Sequence, residues 1–296
     1  MEFRNITVAG GGVLGSQIAF QTAFHGFPVA LYDISDEALA KARERLEKLK
    51  PNYMRDLGAT REQVDAAMHR IRLTADLADA VRDADLVIEA VPEIAQVKRS
   101  FYEQLAKVAP AHTVLVTNSS TMVPSQFAEA TGRPEKFLAL HFANTIWRNN
   151  TAEVMRHPGT DEGVFQQVVE FARSIGMVPL PIYKEQPGYI LNSLLVPFLE
   201  AAQMLWVNEV ADPETIDKTW MIATGAKEGP FGILDTVGVR TAYNIAAEKA
   251  KSGNEAYARL ASKLKEMLDA GKLGRESGEG FYQYPNPRFK QPDFLR

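Results

Sequence analysis

The chain contains no cysteine, which removes disulfide frameworks, thiolate nucleophiles and cysteine-based zinc sites together. Histidine is scarce: five in 296 residues. These are His25, His69, His112, His141 and His157, and no pair has the close helical spacing of a zinc-hydrolase motif, so no metal site is expected. No block of like charge stands out, and a formal net charge of −4 argues against nucleic acid as the main partner. No apolar run goes unbroken for a membrane's width. The longest, Tyr189 to Val207, is interrupted by Asn192, Ser193, Pro197, Glu200 and Gln203 and reads as a buried helix with no membrane role. The first β-prone run starts within a few residues of Met1, leaving no room for a charged region and apolar signal core, so a cytoplasmic location is expected. What remains, 46% hydrophobic and 24% charged residues, is the composition of an ordinary soluble chain with one large or two medium domains.

The most informative segment is Ile6-Thr7-Val8-Ala9-Gly10-Gly11-Gly12-Val13-Leu14-Gly15-Ser16, a short strand pattern that breaks into glycines and resumes as a helix. Gly10, Gly12 and Gly15 fit G-x-G-x-x-G, in which the first glycine makes the turn, the second admits a pyrophosphate and the third lets helix pack on strand. The helix N-terminus, with Val13 and Leu14 in its first turn, offers unpaired N–H groups to the phosphates. A second strand pattern, Val29-Ala30-Leu31-Tyr32, ends at Asp33, 23 residues past Gly10. There a carboxylate accepts from an adenosine ribose and repels a 2′-phosphate. Ile34-Ser35 supplies no arginine for such a phosphate, so the expected cofactor is NAD.

Further β-prone runs at Leu86–Ala90, Val114–Thr117 and Phe137–Leu140 alternate with helical pattern, which predicts a parallel sheet with helices on both faces. Glu37 to Leu49 sets Leu39, Ala42, Leu46 and Leu49 at helical spacing against lysines and arginines. A second helical stretch, Arg61 to Arg72, follows Pro51, so a helical pair near residues 37–72 is expected to project between strands. Its basic faces suit an anionic substrate handle. Phe165–Ile175 reads as a helix ended by Gly176, and Met177–Tyr183 as the last strand region. Past Gln186-Pro187-Gly188 strand signals vanish, and Tyr189–Val207, Glu214–Thr224, Leu234–Lys251 and Tyr257–Ala270 are helical in pattern. The fold class read here is α/β: a Rossmann-type doubly wound sheet over residues 1–186, followed by an all-α C-terminal domain over residues 187–296.

A nicotinamide cofactor transfers hydride, and the accompanying proton needs a positioned base, for which histidine is the usual side chain. His141 stands directly after the strand Phe137–Leu140, at the carboxyl end where an open α/β sheet binds ligand. A histidine there has two readings, structural or catalytic. His25, His112 and His157 lie at a helix end or beside prolines and read as solvent-exposed.

In several separate segments the chain resembles the short-chain L-3-hydroxyacyl-CoA dehydrogenases, including the 3-hydroxybutyryl-CoA dehydrogenases. They are Gly10–Gly15, Val87-Ile88-Glu89-Ala90-Val91-Pro92-Glu93, Asn118-Ser119-Ser120, Leu140-His141-Phe142-Ala143-Asn144, Ala152-Glu153-Val154, Pro187–Leu195, Gly229-Pro230-Phe231-Gly232 and Gly278-Glu279-Gly280-Phe281-Tyr282. The resemblance implies NAD-dependent, reversible oxidation of an L-3-hydroxyacyl-CoA to the 3-ketoacyl-CoA. It makes His141 the base and Glu153 its partner, gives Ser120 (in preference to its neighbour Ser119) and Asn192 substrate-orienting roles, and makes Glu93, Lys98 and Asn144 cofactor contacts. It also implies a homodimer through the helical domain. The chain departs from the family after His141-Phe142: Ala143 replaces a second Phe, and Thr145-Ile146-Trp147-Arg148-Asn149-Asn150-Thr151 replaces a proline and an apolar stretch. That leaves the acyl pocket wall, and with it chain-length preference, in question. Two other readings stay open on sequence: an NAD-dependent dehydrogenase of a free hydroxy acid or sugar acid, and a non-catalytic NAD-binding protein.

Overall fold

The computed structural model describes residues 3–296. Their backbone falls into two units, the first ending at Leu191 and the second running from Asn192 to Arg296.

The first unit is built on one sheet of eight strands: β1 (Ile6–Ala9), β2 (Val29–Tyr32), β3 (Ile71–Thr74), β4 (Leu86–Glu89), β5 (Val114–Thr117), β6 (Phe137–Phe142), β7 (Thr151–Met155) and β8 (Val178–Ile182). They are ordered β3-β2-β1-β4-β5-β6-β7-β8. The first six positions follow the doubly wound order, whose switch point between β1 and β4 opens a ligand crevice at the carboxyl ends of the strands. Side chains alternate across the sheet. Ile6, Val8, Leu86, Ile88, Val114, Val116, Leu138 and Leu140 pack into the core on one face. Ala9, Val87, Leu115 and Phe137 pack on the other.

The sequence pattern predicts a parallel sheet, but β6 and β7 pair antiparallel. β7 gives only a five-residue signal after a long loop, with no tight-turn residues to announce a hairpin. Two other expectations are revised. The helix α2 (Asp36–Leu57) does not stop at Pro51 but continues through it. The residue that holds it is Tyr53, buried with its ring edge-on to Phe20 at 4.7 Å and Phe24 at 5.0 Å; this contact outweighs the lost backbone hydrogen bond. After it, α3 (Arg61–His69) stops short of Arg70–Arg72, which the sequence pattern predicts as helix but which turn instead into β3. The edge strand β8 carries Pro179 and Pro181, which deny a further strand its N–H donors.

Two histidine and helix expectations are corrected as well. His157 is buried, its Nε2 donating to the Pro134 carbonyl at 2.9 Å while the Gly159 N–H donates to its Nδ1 at 3.1 Å. It is a structural residue. The long apolar helix, Tyr189–Val207, is the single helix among the described residues long and apolar enough to cross a membrane, yet it is not the buried helix its composition suggests. Leu194 is 70% exposed, and Ile190, Leu191, Val196 and Leu205 are exposed too.

The second unit is helical. Leu199, Ala202 and Val207 of that helix join Ile216, Met221, Phe231, Leu234, Val239, Leu260 and Leu264 in one core. Residues 234–251, read as one helix, form two, Pro230–Val237 and Val239–Ala250, broken at Gly238. Two buried carboxylates organise the connections. Asp217 accepts from the N–H groups of Phe231 (2.8 Å) and Gly232 (3.0 Å) and from the Tyr282 hydroxyl (2.8 Å). Asp235 accepts from the N–H groups of Phe281 (2.8 Å) and Tyr282 (2.9 Å). A Cβ on Gly229 would strike Asp217, and one on Gly280 would strike Asp235. The motifs around these glycines therefore serve folding: they leave room for a carboxylate to cap backbone it could not otherwise reach.

Candidate active site

At the end of β1 the chain turns through Gly10–Gly12 into α1 (Val13–Phe24). A Cβ at Gly15 would collide with the Gly10 carbonyl, so the helix packs against the turn only because this residue has no side chain. Gly12, by contrast, faces open space with no heavy atom within 4 Å of a built Cβ. It is also the N-cap of α1, and no side chain caps that terminus. Open space in front of uncapped N–H groups fits a pyrophosphate. Val13 is exposed and Leu14 half-buried at the same terminus. Asp33 ends β2 with Oδ2 accepting the Gly11 N–H and Oδ1 the Ile34 N–H, both at 2.8 Å, which fixes the carboxylate and leaves lone pairs for ribose hydroxyls. Sequence reasoning missed Arg45, which reaches from α2 to donate to the Gly11 carbonyl at 3.1 Å.

His141 lies within β6, and the antiparallel register sets it directly opposite Glu153 on β7. Cross-strand partners share a face, so the twelve-residue spacing of the two is a property of this hairpin. His141 Nδ1 is 2.9 Å from Glu153 Oε2, with both residues buried. A carboxylate at that distance takes the Nδ1 hydrogen, which leaves the Nε2 lone pair available. The Ser120 hydroxyl stands 3.2 Å from Nε2. The second Glu153 oxygen, Oε1, accepts the N–H groups of Ile190 and Leu191, each at 2.9 Å. Burial alone would push the Glu153 carboxyl up; the His141 hydrogen bond and the amides of Leu191 and Ile190 outweigh it and hold the group below the usual carboxylate range. Tyr189, fully buried, stacks on the His141 ring with centroids 4.6 Å apart.

Ser120 is held from the other side by Glu93. Glu93 Oε1 accepts from the Ser119 hydroxyl (2.5 Å), the Ser120 N–H (2.9 Å), and the N–H and hydroxyl of Thr121 (3.0 Å each). Its carboxyl too sits below the usual range: burial opposes, but Ser119, the Lys98 charge and Thr121 win. Lys98, expected among the cofactor contacts, is buried in the helix Ala95–Val108. Its ammonium meets Glu89 at 2.6 Å, Glu93 at 3.2 Å and the Val91 carbonyl at 3.4 Å. Glu89 in turn accepts from the hydroxyls of Tyr102 (2.8 Å) and Thr117 (2.7 Å). Glu89 was missed, although an acid closing a buried strand, with one lysine nine residues on, signals such a pair.

The loop between β6 and β7 folds back on the nucleotide side of this unit. Asn144 is exposed, and its carbonyl accepts from the Asn149 side chain at 2.8 Å. The Thr145 and Ile146 N–H groups donate to Gln17 Oε1 of α1, at 2.8 and 3.2 Å. Trp147 donates from Nε1 to Asp56 at 2.9 Å and leans on Tyr53 with ring centroids 5.4 Å apart, while Arg148 is exposed. Asn192 is half-buried and falls in the second unit.

Comparison with known proteins agrees with this architecture. The chain is 32% identical to human mitochondrial hydroxyacyl-coenzyme A dehydrogenase over 95% of its own length and 91% of that protein's. It is 33% identical to a probable 3-hydroxybutyryl-CoA dehydrogenase of Deinococcus radiodurans, covering 94% and 99%. Among solved structures, a diketoreductase acting on dicarbonyl compounds matches with TM-score 0.91 and 56% identity, over 96% of this chain and all of that one. Models of the 3-hydroxyacyl-CoA dehydrogenase NAD-binding domain and C-terminal domain match residues 5–186 and 188–284. On both domains and at full length, then, the chain belongs to the 3-hydroxyacyl-CoA dehydrogenase family of NAD-dependent oxidoreductases.

Proposed function

We propose that His141 is the general base of a reversible L-3-hydroxyacyl-CoA oxidation, with Glu153 as its orienting partner. The observation that carries this reading is the buried cross-strand pair, 2.9 Å between Nδ1 and Oε2. It fixes the tautomer that leaves Nε2 free to take the substrate's hydroxyl proton, and it places a negative charge beside the imidazolium that results. Ser120, already at hydrogen-bond distance from Nε2, is the donor that aligns the reacting oxygen, and Asn192 the second polar group for the thioester. Gly10, Gly12, Val13, Leu14, Gly15 and Asp33 would hold NAD, with Glu93 and Asn144 toward its nicotinamide half. The bound cofactor supplies the hydride acceptor. Lys98 acts there indirectly, by setting Glu93.

Residues 187–296 serve substrate binding and assembly of a homodimer; the exposed apolar face of Tyr189–Val207 supports the second role. The bacterial relatives favour a cytoplasmic enzyme. His141→Gln, which keeps a polar side chain without the base, is expected to lower turnover of acetoacetyl-CoA with NADH by about 10²–10⁴-fold. Near-wild-type turnover would refute the assignment.

One observation favours a second reading of the substrate: identity is 56% to the diketoreductase but 32–33% to the CoA enzymes. On that reading the same residues reduce a free dicarbonyl compound. Comparing kcat/KM for acetoacetyl-CoA and for a free diketo ester with the wild-type enzyme decides between them.

A further inference from the structure

Tyr189 occupies a backbone conformation that an aromatic residue rarely adopts. Its φ is +56°, directly after Gly188 at +79°, and a bulky side chain in the left-handed region persists only where surrounding contacts over-determine it. Three contacts do so here. The Tyr189 N–H donates to the Gln186 carbonyl at 3.0 Å. The ring is fully buried among Ala139, Met155 and Ile182. Its face lies on the His141 imidazole, centroids 4.6 Å apart and planes inclined by 30°. The two left-handed residues also direct the amides that follow, those of Ile190 and Leu191, at Glu153.

From this geometry we infer that Tyr189 is a positioning residue of the reaction: its ring clamps the His141 imidazole and stabilises the protonated form, while its backbone aims two amides at Glu153. The inference rests on the reading of His141 as the base. An aromatic face is electron-rich and attracts a cation placed over it. His141 gains a full charge when it takes the substrate proton, so the stacking strengthens as the reaction proceeds. Around this ring pair Glu153 meets Nδ1 and Ser120 meets Nε2, while the charges of Glu93, Glu153, Glu89 and Glu185 act on Tyr189; Glu89 and Glu93 are themselves paired with Lys98.

The test keeps the shape of residue 189 and changes its electrons. Tyr189→Phe preserves the face and is expected to stay within about twofold of wild type in kcat. In that background, replacing the ring by phenylalanines bearing successively more fluorines drains the face without moving the backbone. The acidic limb of kcat/KM for hydroxyacyl-CoA oxidation, and the NMR titration of the His141 ring in the same enzyme, are expected to move together to lower pH, by about half to one unit across the series. Tyr189→Leu is expected to shift the limb similarly and to lower kcat by about tenfold, with KM for NAD unchanged. An NMR titration that stays flat across the fluorine series overturns the proposal, whether or not the leucine variant folds. A ring that titrates as proposed in an enzyme whose His141→Gln variant stays active would instead sink the catalytic reading and leave the stacking intact.

Discussion

Glu153 shows how one side chain can serve both chemistry and stability. It is buried, it partners His141, and its second oxygen takes two amides, so the carboxylate is satisfied on both sides. Glu153→Gln keeps the shape but puts an amide where a charge was. Turnover is expected to fall on the order of a hundredfold, because the imidazole loses the partner that fixes its tautomer. Stability follows a stated sign. The carboxyl sits lower in the folded chain than its ordinary value of 4.5. Its contribution is therefore fully present above that value and is lost as pH falls through the lower folded one. Urea unfolding of wild type and variant should differ by about 2–3 kcal/mol at pH 7, and the gap should narrow below pH 4.5. A gap that is constant with pH would mean that the charge of Glu153 contributes nothing.

Among the secondary-structure elements, the loop between β6 and β7 has a structural task. Trp147 bridges the loop to α2 through Asp56 and Tyr53, and Gln17 of α1 grips the two residues before it. The loop thus ties the strand pair carrying His141 and Glu153 to both the nucleotide helix and the helical pair. Trp147→Ala removes the ring contact and leaves Asp56 without its indole donor. It is expected to destabilise the first unit by about 2–4 kcal/mol and to raise amide exchange in residues 36–69 ahead of the rest of the sheet. Uniform loss of protection would show that the loop is not a specific tie. This feature also marks the limit of what could be read in sequence. β1, β2 and β5 were legible to the residue because each is a short β-prone run with a turn-forming residue beside it: Gly10 after β1, Pro28 and Asp33 around β2, and Asn118 after β5. β3 was lost because Arg70-Ile71-Arg72 continues a helical charge pattern and takes its strand form from pairing with β2, a long-range contact that local pattern does not encode. The His141–Glu153 spacing was visible, but its cause, an antiparallel register, was not. Tyr189 and Glu89 were invisible as site residues because their roles depend on side chains that are brought near only by the fold.

For the whole molecule, the outstanding physical fact is apolar surface left facing solvent. Leu191, Leu194 and Leu205 fall on one stripe of Tyr189–Val207 and are exposed, Leu194 by 70%. The same helix is anchored elsewhere on its circumference, with Leu199, Ala202 and Val207 in the core of the second unit and Glu200 paired with Lys249 at 2.7 Å. An anchored helix that leaves apolar side chains exposed presents a face that water disfavours. A second copy of the chain offers the same stripe, and a two-fold axis lets each stripe cover the other. Wild-type protein is then expected to sediment as twice 32.8 kDa. Leu194→Asp would place a carboxylate on each side of that axis, where both must be desolvated, and should leave a 32.8 kDa monomer. Because the nucleotide loop lies wholly in the first unit, the monomer should bind NADH as tightly as the parent. Sedimentation velocity and NADH fluorescence titration on one sample separate the outcomes. A variant that remains dimeric puts the interface elsewhere, and one that is monomeric but blind to NADH reports misfolding, which a substitution on an exposed stripe does not predict.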